Sequence, residues 1–213
     1  MTIEITNRSL PGICRQLAKN DVRFERVLSA YGVPPLWDRP AGFETLLQII
    51  LEQQVSLASA KACYDKLTAT LKQVTPASLM TLDDAAMKQV GFSRQKTAYA
   101  RYLAEAVVNK KLDLDDLNNR PDDEVKSELM RLKGIGEWTS DIYLLMALLR
   151  PDVMPRGDIA LHTAWHKLSG EPRPSADEFL EIAVAWRPYR SVAARMLWHF
   201  YLSERKKARE SRS

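Results

Sequence analysis

The sequence predicts an all-α fold, and two observations lead to that prediction. Apolar residues recur at helical spacing along most of the chain, and one unbroken i, i+3, i+4, i+7, i+8 stripe consists of Tyr99, Tyr102, Leu103, Ala106 and Val107. No segment alternates between apolar and polar residues for long enough to predict a β-strand. We therefore expect helices packed against helices.

Further stripes and punctuating residues predict the other helices in order. Stripes cover residues 24–31, 43–50 and 193–201. Helix starts are predicted at Thr75-Pro76, Asn119-Arg120-Pro121 and Ser175, and helix ends at Gly32 and Gly91. Residues 142–149 are apolar on all sides, so their helix is expected to be a buried axis. The first 36 residues have room for one helix and its flanks.

Residues 150–157 predict a crossing between two helical lobes, because this segment contains two prolines and a glycine. We expect a six-helix lobe at residues 37–150. The second lobe is expected to combine residues 1–36 with residues 151–213. A cleft between lobes is a common position for an active site, so we expect the functional site in the inter-lobe cleft.

Composition is that of an ordinary globular protein, with 46% hydrophobic and 27% charged residues. Residues 142–149 are the longest nearly pure apolar run and are too short to cross a bilayer, and no secretory signal opens the chain. Two cysteines, Cys14 and Cys63, cannot form a zinc or iron–sulfur cluster by themselves. We expect a cytoplasmic protein, nucleoid-associated in a bacterium, with no membrane contact.

The charge balance is compatible with a polyanionic partner, since the net charge is +4 and the pI is about 9.0. The last ten residues include five basic ones, Arg205, Lys206, Lys207, Arg209 and Arg212. A solvated terminus and a phosphate-binding arm both explain that run.

The most distinctive local pattern is a glycine–isoleucine–glycine turn between a helix predicted at about 121–132 and one starting near Glu137. Its glycines permit a tight turn with positive φ, and the isoleucine can anchor the turn in the core. The amides of the turn and of the next helix's first turn would face an anion such as a DNA phosphate. A sharp αα-hairpin that binds nothing fits the same local pattern. The candidate phosphate-binding residues are Lys133, Gly134, Ile135, Gly136 and Thr139.

Residues 132–139 and 152–158 together resemble the helix-hairpin-helix-GPD signature of DNA glycosylases. The first segment reads Leu-x-Gly-Ile-Gly-x-Trp-Thr and the second Asp-Val-Met-Pro-x-x-Asp. Three further blocks, residues 50–56, 91–99 and 186–191, are similar to the 3-methyladenine DNA glycosylase II branch, the alkylbase enzymes. The likeness runs from about residue 40 to residue 203.

The resemblance implies a monofunctional DNA glycosylase that flips a damaged base out of duplex DNA. It would hydrolyse the N-glycosidic bond of alkylated purines, of the 3-methyladenine or 7-methylguanine type, and leave an abasic site. Asp158 matches the aspartate of the signature. Bond cleavage builds positive charge on the deoxyribose, which an ionised carboxylate stabilises while it orients or deprotonates water. Asp158 is also well placed to N-cap the helix that begins at Ile159, and both roles can hold together.

Trp138 predicts the absence of lyase activity. In lyase-competent relatives a lysine stands two residues after the second glycine and attacks the sugar carbon. Lys133 does not match that position, so the resemblance implies water as the nucleophile and no cofactor in catalysis. The chain also lacks the cysteine cluster of endonuclease III-like relatives.

Flat side chains are expected to bind the extruded base, and Trp138 and Tyr189 are the candidates. Cation–π attraction would favour positively charged bases by about 0.5–2 kcal/mol. By resemblance, Gln54 with its neighbour Gln53 forms the wedge that fills the gap in the duplex, although a polar helix end is the alternative. The other tryptophans, Trp37, Trp165, Trp186 and Trp198, are assigned to the core or an interface.

Family members hold a monovalent cation with backbone carbonyls of the hairpin. The resemblance therefore implies Na⁺ or K⁺ ligands at the carbonyls of Met130, Leu132 and Ile135. His162 and His166 are spaced i, i+4 but lack a third ligand, and we interpret them as surface or core residues. The expected partner is double-stranded DNA that contains damaged bases, and the protein is expected to be a monomer.

Other interpretations remain open on the sequence. One is a non-catalytic helix-hairpin-helix DNA-binding protein, which would have no need of Asp158. A bifunctional glycosylase/lyase is another, and Trp138 argues against it. A purely structural helical protein is the third. Within the glycosylases, uncharged lesions such as hypoxanthine, ethenoadenine or uracil are the alternative substrates, because pocket width is not visible in the sequence.

Overall fold

The computed structural model describes residues 5–211, and within that range the chain is all helical, as predicted. Those residues form twelve α-helices and two 3-10 helices, Asp116–Asn119 and Val184–Trp186. The α-helices are α1 (Leu10–Asn20), α2 (Val22–Tyr31), α3 (Phe43–Glu52), α4 (Leu57–Thr70), α5 (Pro76–Met80), α6 (Asp84–Gln89), α7 (Arg94–Val108), α8 (Asp122–Met130), α9 (Glu137–Met146), α10 (Ile159–Ser169), α11 (Ala176–Ala183) and α12 (Arg190–Glu210). None of these helices is long and apolar enough to cross a membrane. Arg212, counted above in the basic tail, lies outside the described residues.

The chain divides into two compact units. One unit is Arg39–Leu148 and contains α3 to α9; the other combines Met1–Asp38 with Leu149–Ser213 and contains α1, α2 and α10 to α12. The first unit has seven α-helices and a 3-10 helix, where six helices were expected. The extra helix arises because Thr75 and Asp83 each N-cap a short helix of their own.

Local capping chemistry sets most of the helix ends. Thr75 and Ser175 both form complete capping boxes, and Gly32 ends α2 with φ +75°. The expectation of a single helix in the first 36 residues is wrong. Asp21 ends α1 and then N-caps α2 by accepting a hydrogen bond from the Arg23 amide, so the segment folds as two helices.

Helix α9 is the buried element of the Arg39–Leu148 unit. Every residue from Thr139 to Leu145 is buried, and α3 packs against α9 as well as against α4 and α7. The Tyr143 hydroxyl accepts a hydrogen bond from the Gly42 amide (3.0 Å), so its one polar atom is satisfied. Because α9 begins directly after the glycine turn, the turn is attached to a buried helix.

Helix α12 is the buried element of the other unit, where it packs against α1, α2 and α10. Arg195 lies within it and is fully buried. Its Nε donates to the Leu36 carbonyl (2.6 Å) and its Nη1 to the Ser191 carbonyl (3.0 Å). Burial lowers the pKa of Arg195 to about 10, which still leaves the guanidinium charged at neutral pH. The arginine thus fixes the chain on either side of Leu36 to α12.

Candidate active site

The turn between α8 and α9 has the geometry of a helix-hairpin-helix. The Ile135 amide donates to the Leu132 carbonyl (3.1 Å), and the Ile135 side chain is buried with 5% exposure. Gly136 is the N-cap of α9, and as a glycine it supplies no side-chain cap to the first amides of this helix. A helix N-terminus of this kind favours an anion.

Gly134 is required by a close contact. Its φ is +95°, and a Cβ built on it would lie 2.1 Å from Cγ of Tyr99. The Tyr99 ring, on α7, therefore rests directly on the backbone of the turn. The Tyr99 hydroxyl accepts a hydrogen bond from Gln95 Nε2 (2.6 Å), which fixes the ring's orientation. No side chain other than hydrogen fits at position 134 without displacement of the ring.

Gln53 and Thr139, both predicted to contact DNA, have side chains that support the turn from within. Gln53 Nε2 donates to the Gly134 carbonyl (2.8 Å) and to the Thr139 hydroxyl (2.9 Å). The Thr139 side chain is buried, with 2% exposure, and its hydroxyl is occupied by this bond. Gln53 likewise has its amide occupied by the hairpin. Sequence spacing could not reveal this pairing, because the partners are 81 and 86 residues apart.

An ion pair between a half-buried lysine and a buried aspartate joins the two helices of the hairpin. Lys126 Nζ on α8 lies 2.8 Å from Asp141 Oδ1 on α9, and Asp141 is 2% exposed. Because it ties α8 to α9 in the middle of both helices, the pair constrains the angle between them. The pair could have been suspected from the sequence, because Asp141 directly precedes the apolar run of residues 142–149.

The turn between α3 and α4 carries exposed side chains. Gln54 has a left-handed backbone with φ +57° and is exposed, as are the apolar residues Val55 (46%) and Leu57 (60%). Lys96 Nζ donates to the Leu51 carbonyl at the end of α3, and burial lowers the pKa of this lysine. A strained conformation at an exposed non-glycine residue is a feature that often accompanies function.

The hairpin and the α3–α4 turn line one pocket of about 360 Å³ within the Arg39–Leu148 unit. Its walls are Gln53, Gln54, Gln95, Lys96, Tyr99, Gly134, Ile135 and Gly136. Two other residues predicted to belong to the site flank the hairpin glycines in sequence. Lys133 is exposed, with its ammonium 5.3 Å from the centre of the Tyr102 ring, and Trp138 is half-buried in the first turn of α9.

Asp158 N-caps α10, as its position suggested. Its Oδ1 accepts hydrogen bonds from the Leu161 amide (3.0 Å) and from Nε1 of Trp198 (3.3 Å). The carboxylate is half-buried in the unit that contains α12. Trp198, assigned to the core, is indeed buried with 7% exposure, but its indole N–H also contacts the candidate catalytic group. That contact was missed because the two residues are 40 positions apart.

The segment that leads to Asp158 is fixed to the start of α12. Arg190 binds Asp152 through two parallel contacts, Nε to Oδ1 (2.8 Å) and Nη2 to Oδ2 (3.0 Å). The buried Ser191 hydroxyl accepts from the Val153 amide (3.0 Å) and donates to the Val153 carbonyl (3.2 Å). A bidentate arginine pair is geometrically specific, so this anchor limits the motion of the loop before Asp158.

Tyr189 lies in the same unit as Asp158, as the N-cap of α12, and is half-buried. It lines a pocket of about 130 Å³ together with Asp21, Arg23, Trp186 and other residues. The two histidines differ in environment: His162 is buried, with Nδ1 3.1 Å from the Pro174 carbonyl, and His166 is exposed. Residues 5–211 contain no group of three or more His, Cys, Asp and Glu side chains suited to a metal ion.

The family model described as HhH-GPD superfamily base excision DNA repair protein matches residues 47–188. The chain belongs to this superfamily. This HhH-GPD protein is 26% identical over 200 residues to the alkylbase DNA glycosidase-like protein mag2 of Schizosaccharomyces pombe, with coverage of 90% of this chain and 94% of the relative. It is also 26% identical over 190 residues to DNA-3-methyladenine glycosylase 1 of the same organism, with coverage of 85% and 82%.

A solved structure supports the same relationship. The 3-methyladenine DNA glycosylase Mag1 of S. pombe, in complex with abasic DNA, superposes with a TM-score of 0.81 at 25% identity. The alignment covers 88% of this chain and 95% of that one. The predicted superfamily and the predicted similarity to the 3-methyladenine branch are therefore confirmed.

Proposed function

We propose that this HhH-GPD protein is a monofunctional DNA glycosylase that removes alkylated purines from duplex DNA and leaves an abasic site. The observation that carries the proposal is Asp158, an acid at the position of the family's signature aspartate, fixed by hydrogen bonds from Leu161 and Trp198. A carboxylate that only capped a helix would need the first of these bonds alone. The names of the two yeast relatives and of the superposed structure support the alkylated-base substrate.

Asp158 would act on the sugar. As the N-glycosidic bond lengthens, the deoxyribose gains positive charge, and a carboxylate held in a fixed position stabilises that charge without reorganising at the moment of reaction. The same carboxylate can orient a water molecule and accept its proton. The departing purine carries the bonding electrons, and a base made cationic by methylation leaves as a neutral molecule.

The extruded base would stack on aromatic rings. Trp138 and Tyr189 are both half-buried, so each keeps part of its ring accessible. Electron-rich rings favour cationic bases such as 3-methyladenine and 7-methylguanine over their unmodified parents, by about 0.5–2 kcal/mol. This preference is our reason to place charged lesions ahead of hypoxanthine, ethenoadenine and uracil.

The hairpin would bind a phosphate of the DNA backbone without reading its sequence. Support comes from the N-terminus of α9, where the N-cap Gly136 has no side chain, and from the exposed Lys133. The backbone carbonyl oxygens suggested as cation ligands are suitable donor atoms for a monovalent ion. Leu132 already accepts the Ile135 amide, and a carbonyl has a second lone pair to offer. A bound Na⁺ or K⁺ would add positive charge beside the phosphate, while Met130, Leu132 and Ile135 hold it.

Absence of lyase activity rests on Trp138. An indole cannot form a Schiff base, and Lys133 stands at a different position, with its ammonium over the Tyr102 ring. Water is then the nucleophile. A monomer is sufficient for the whole proposal, since every residue named in it belongs to one chain.

Base release from damaged duplex DNA tests the function. We expect wild-type protein to release 3-methyladenine and 7-methylguanine from methylated DNA, detected by mass spectrometry, and to leave alkali-labile abasic sites. Borohydride should trap no covalent adduct. Release of only hypoxanthine or uracil, from deaminated DNA, would show that the substrates are uncharged lesions and not alkylated purines. No released base at all, with DNA binding intact, would favour the non-catalytic helix-hairpin-helix alternative.

Gln54 is proposed as the wedge, because of the two neighbouring glutamines only Gln54 is exposed. We expect Gln54→Ala to slow base release by about tenfold with little change in melting temperature, since the lost interaction forms only with flipped DNA. The effect should shrink when the lesion lies opposite an abasic gap, where no stacking must be replaced. Gln53→Ala removes two hydrogen bonds within the hairpin and should lower the melting temperature. An equal decrease in Gln54→Ala would contradict the assignment of Gln54 as the wedge.

A further inference from the structure

We propose that Trp198 is a positioning residue for Asp158: its indole N–H sets the orientation of the carboxylate that acts on the sugar. The proposal deepens the glycosylase function and rests on it. Neither the signature nor the cap of α10 requires an indole at this position. The inference comes from the contact between Nε1 of Trp198 and Oδ1 of Asp158 (3.3 Å).

Two donors from different helices meet the same carboxylate oxygen. The Leu161 amide belongs to α10, which Asp158 caps, whereas Trp198 belongs to α12. A single cap bond to Oδ1 tolerates a range of rotations about the Cβ–Cγ bond, whose torsional preference is broad, because one hydrogen bond is satisfied over a range of angles. A second donor to the same oxygen, from an independent direction, narrows that range. Asp158 is thereby restrained in orientation before any substrate binds.

The indole is itself held firmly. Trp198 is 7% exposed, and the Trp37 ring packs on it edge to face, with centroids 6.5 Å apart and planes at 75°. A hydrogen bond to a charged acceptor in such low-dielectric surroundings is stronger than one in water. The nitrogen therefore cannot move away from Asp158 without repacking the aromatic pair.

One helix controls both ends of the segment that bears the acid. The first residues of α12, Arg190 and Ser191, anchor the loop at Asp152 and Val153. Trp198, about two turns further along α12, contacts the acid at the other end of that loop. This arrangement makes α12 a rigid support for Asp158, and Trp198 is the part of it that contacts the reacting group.

An isosteric replacement isolates the indole N–H. 3-Benzothienylalanine has the shape of tryptophan but carries sulfur in place of N–H, and it can be placed at position 198 by codon suppression. We expect the single-turnover rate of 7-methylguanine release to fall at least tenfold, about 1.4 kcal/mol. The dissociation constant for duplex DNA with an abasic-site analogue should stay within twofold. 5-Fluorotryptophan at 198 keeps the N–H and should restore the wild-type rate.

Trp165 supplies a matched control in the same unit. Its ring is 3% exposed, and its Nε1 is buried with no hydrogen-bond partner among residues 5–211. The same replacement at position 165 removes an N–H that makes no hydrogen bond to the described part of the chain, so the rate should remain at the wild-type value. An equal loss of rate at both positions, or an unchanged rate at 198, would overturn the positioning role.

A measurement independent of activity separates this inference from the function itself. In ¹H–¹⁵N spectra the Trp198 indole resonance should move upfield in Asp158→Ala, while the Trp165 resonance stays in place. An inactive wild-type protein with this shift would refute the glycosylase function and not the hydrogen bond. An active wild type with no shift, and with full rate for the isostere, would refute the inference alone.

Discussion

Replacement of Asp158 by asparagine should lower the single-turnover rate of base release by about a thousandfold, the order of effect of removing one preorganised electrostatic group. The reason is the loss of negative charge at the sugar. Asparagine is isosteric, caps helices as well as aspartate does, and can still accept hydrogen bonds from Leu161 and Trp198. The fold of the loop should therefore persist while the chemistry stops.

Two measurements keep this test specific. The melting temperature of Asp158→Asn should stay within about 3 °C of wild type, as expected when a cap is exchanged for an equivalent one. Its affinity for duplex DNA should be at least that of wild type, because a negative charge has been removed. Full turnover in this variant would refute the assigned mechanism, and loss of both stability and binding would point to a purely structural aspartate.

A second large effect is expected at the hairpin, where Gly134→Ala should lower the free energy of unfolding by about 2–4 kcal/mol. The new Cβ would lie 2.1 Å from Cγ of Tyr99, and φ at this position is +95°. Both the ring and the backbone must shift, which also breaks the contact of Gln53 with the Gly134 carbonyl. Denaturant unfolding measures the loss, and affinity for undamaged duplex DNA should fall with it.

Gly136→Ala is the matched control, since the two glycines flank the same isoleucine. Its φ is −108°, an ordinary value, and an added Cβ would meet no atom within 4 Å. Its cost should be below about 1 kcal/mol, from the poorer N-cap alone. Equal destabilisation by the two alanines would contradict the role given to the Tyr99 contact.

The pair Gln53 and Gln54 illustrates where sequence reasoning stopped. Both were assigned to the wedge by resemblance, because adjacent polar residues after a helix look alike in a sequence. In the fold, Gln53 turns inward to the carbonyl of Gly134 and the hydroxyl of Thr139, and Gln54 takes a left-handed backbone and stays exposed. Neighbours on a turn point in different directions, and only packing against the hairpin decides which direction each takes.

The sequence by itself determined the features that depend on local chemistry. Helical periodicity predicted the all-α fold, the capping residues Thr75 and Ser175 marked helix starts, and the glycine turn marked the hairpin. These succeed because helix formation and capping involve residues within about four positions of one another. The cap at Asp158 belongs to the same class.

The tertiary structure alone decided which distant side chains support those local features. The ring of Tyr99 on Gly134, the amide of Gln53 and the indole of Trp198 on Asp158 all join residues at least 35 positions apart. Burial selects such partners, because a polar group removed from water must find a donor or acceptor wherever the chain brings one. Sequence periodicity carries no information about such distant partners. The residues that support the hairpin and Asp158 could therefore be identified only in the folded chain.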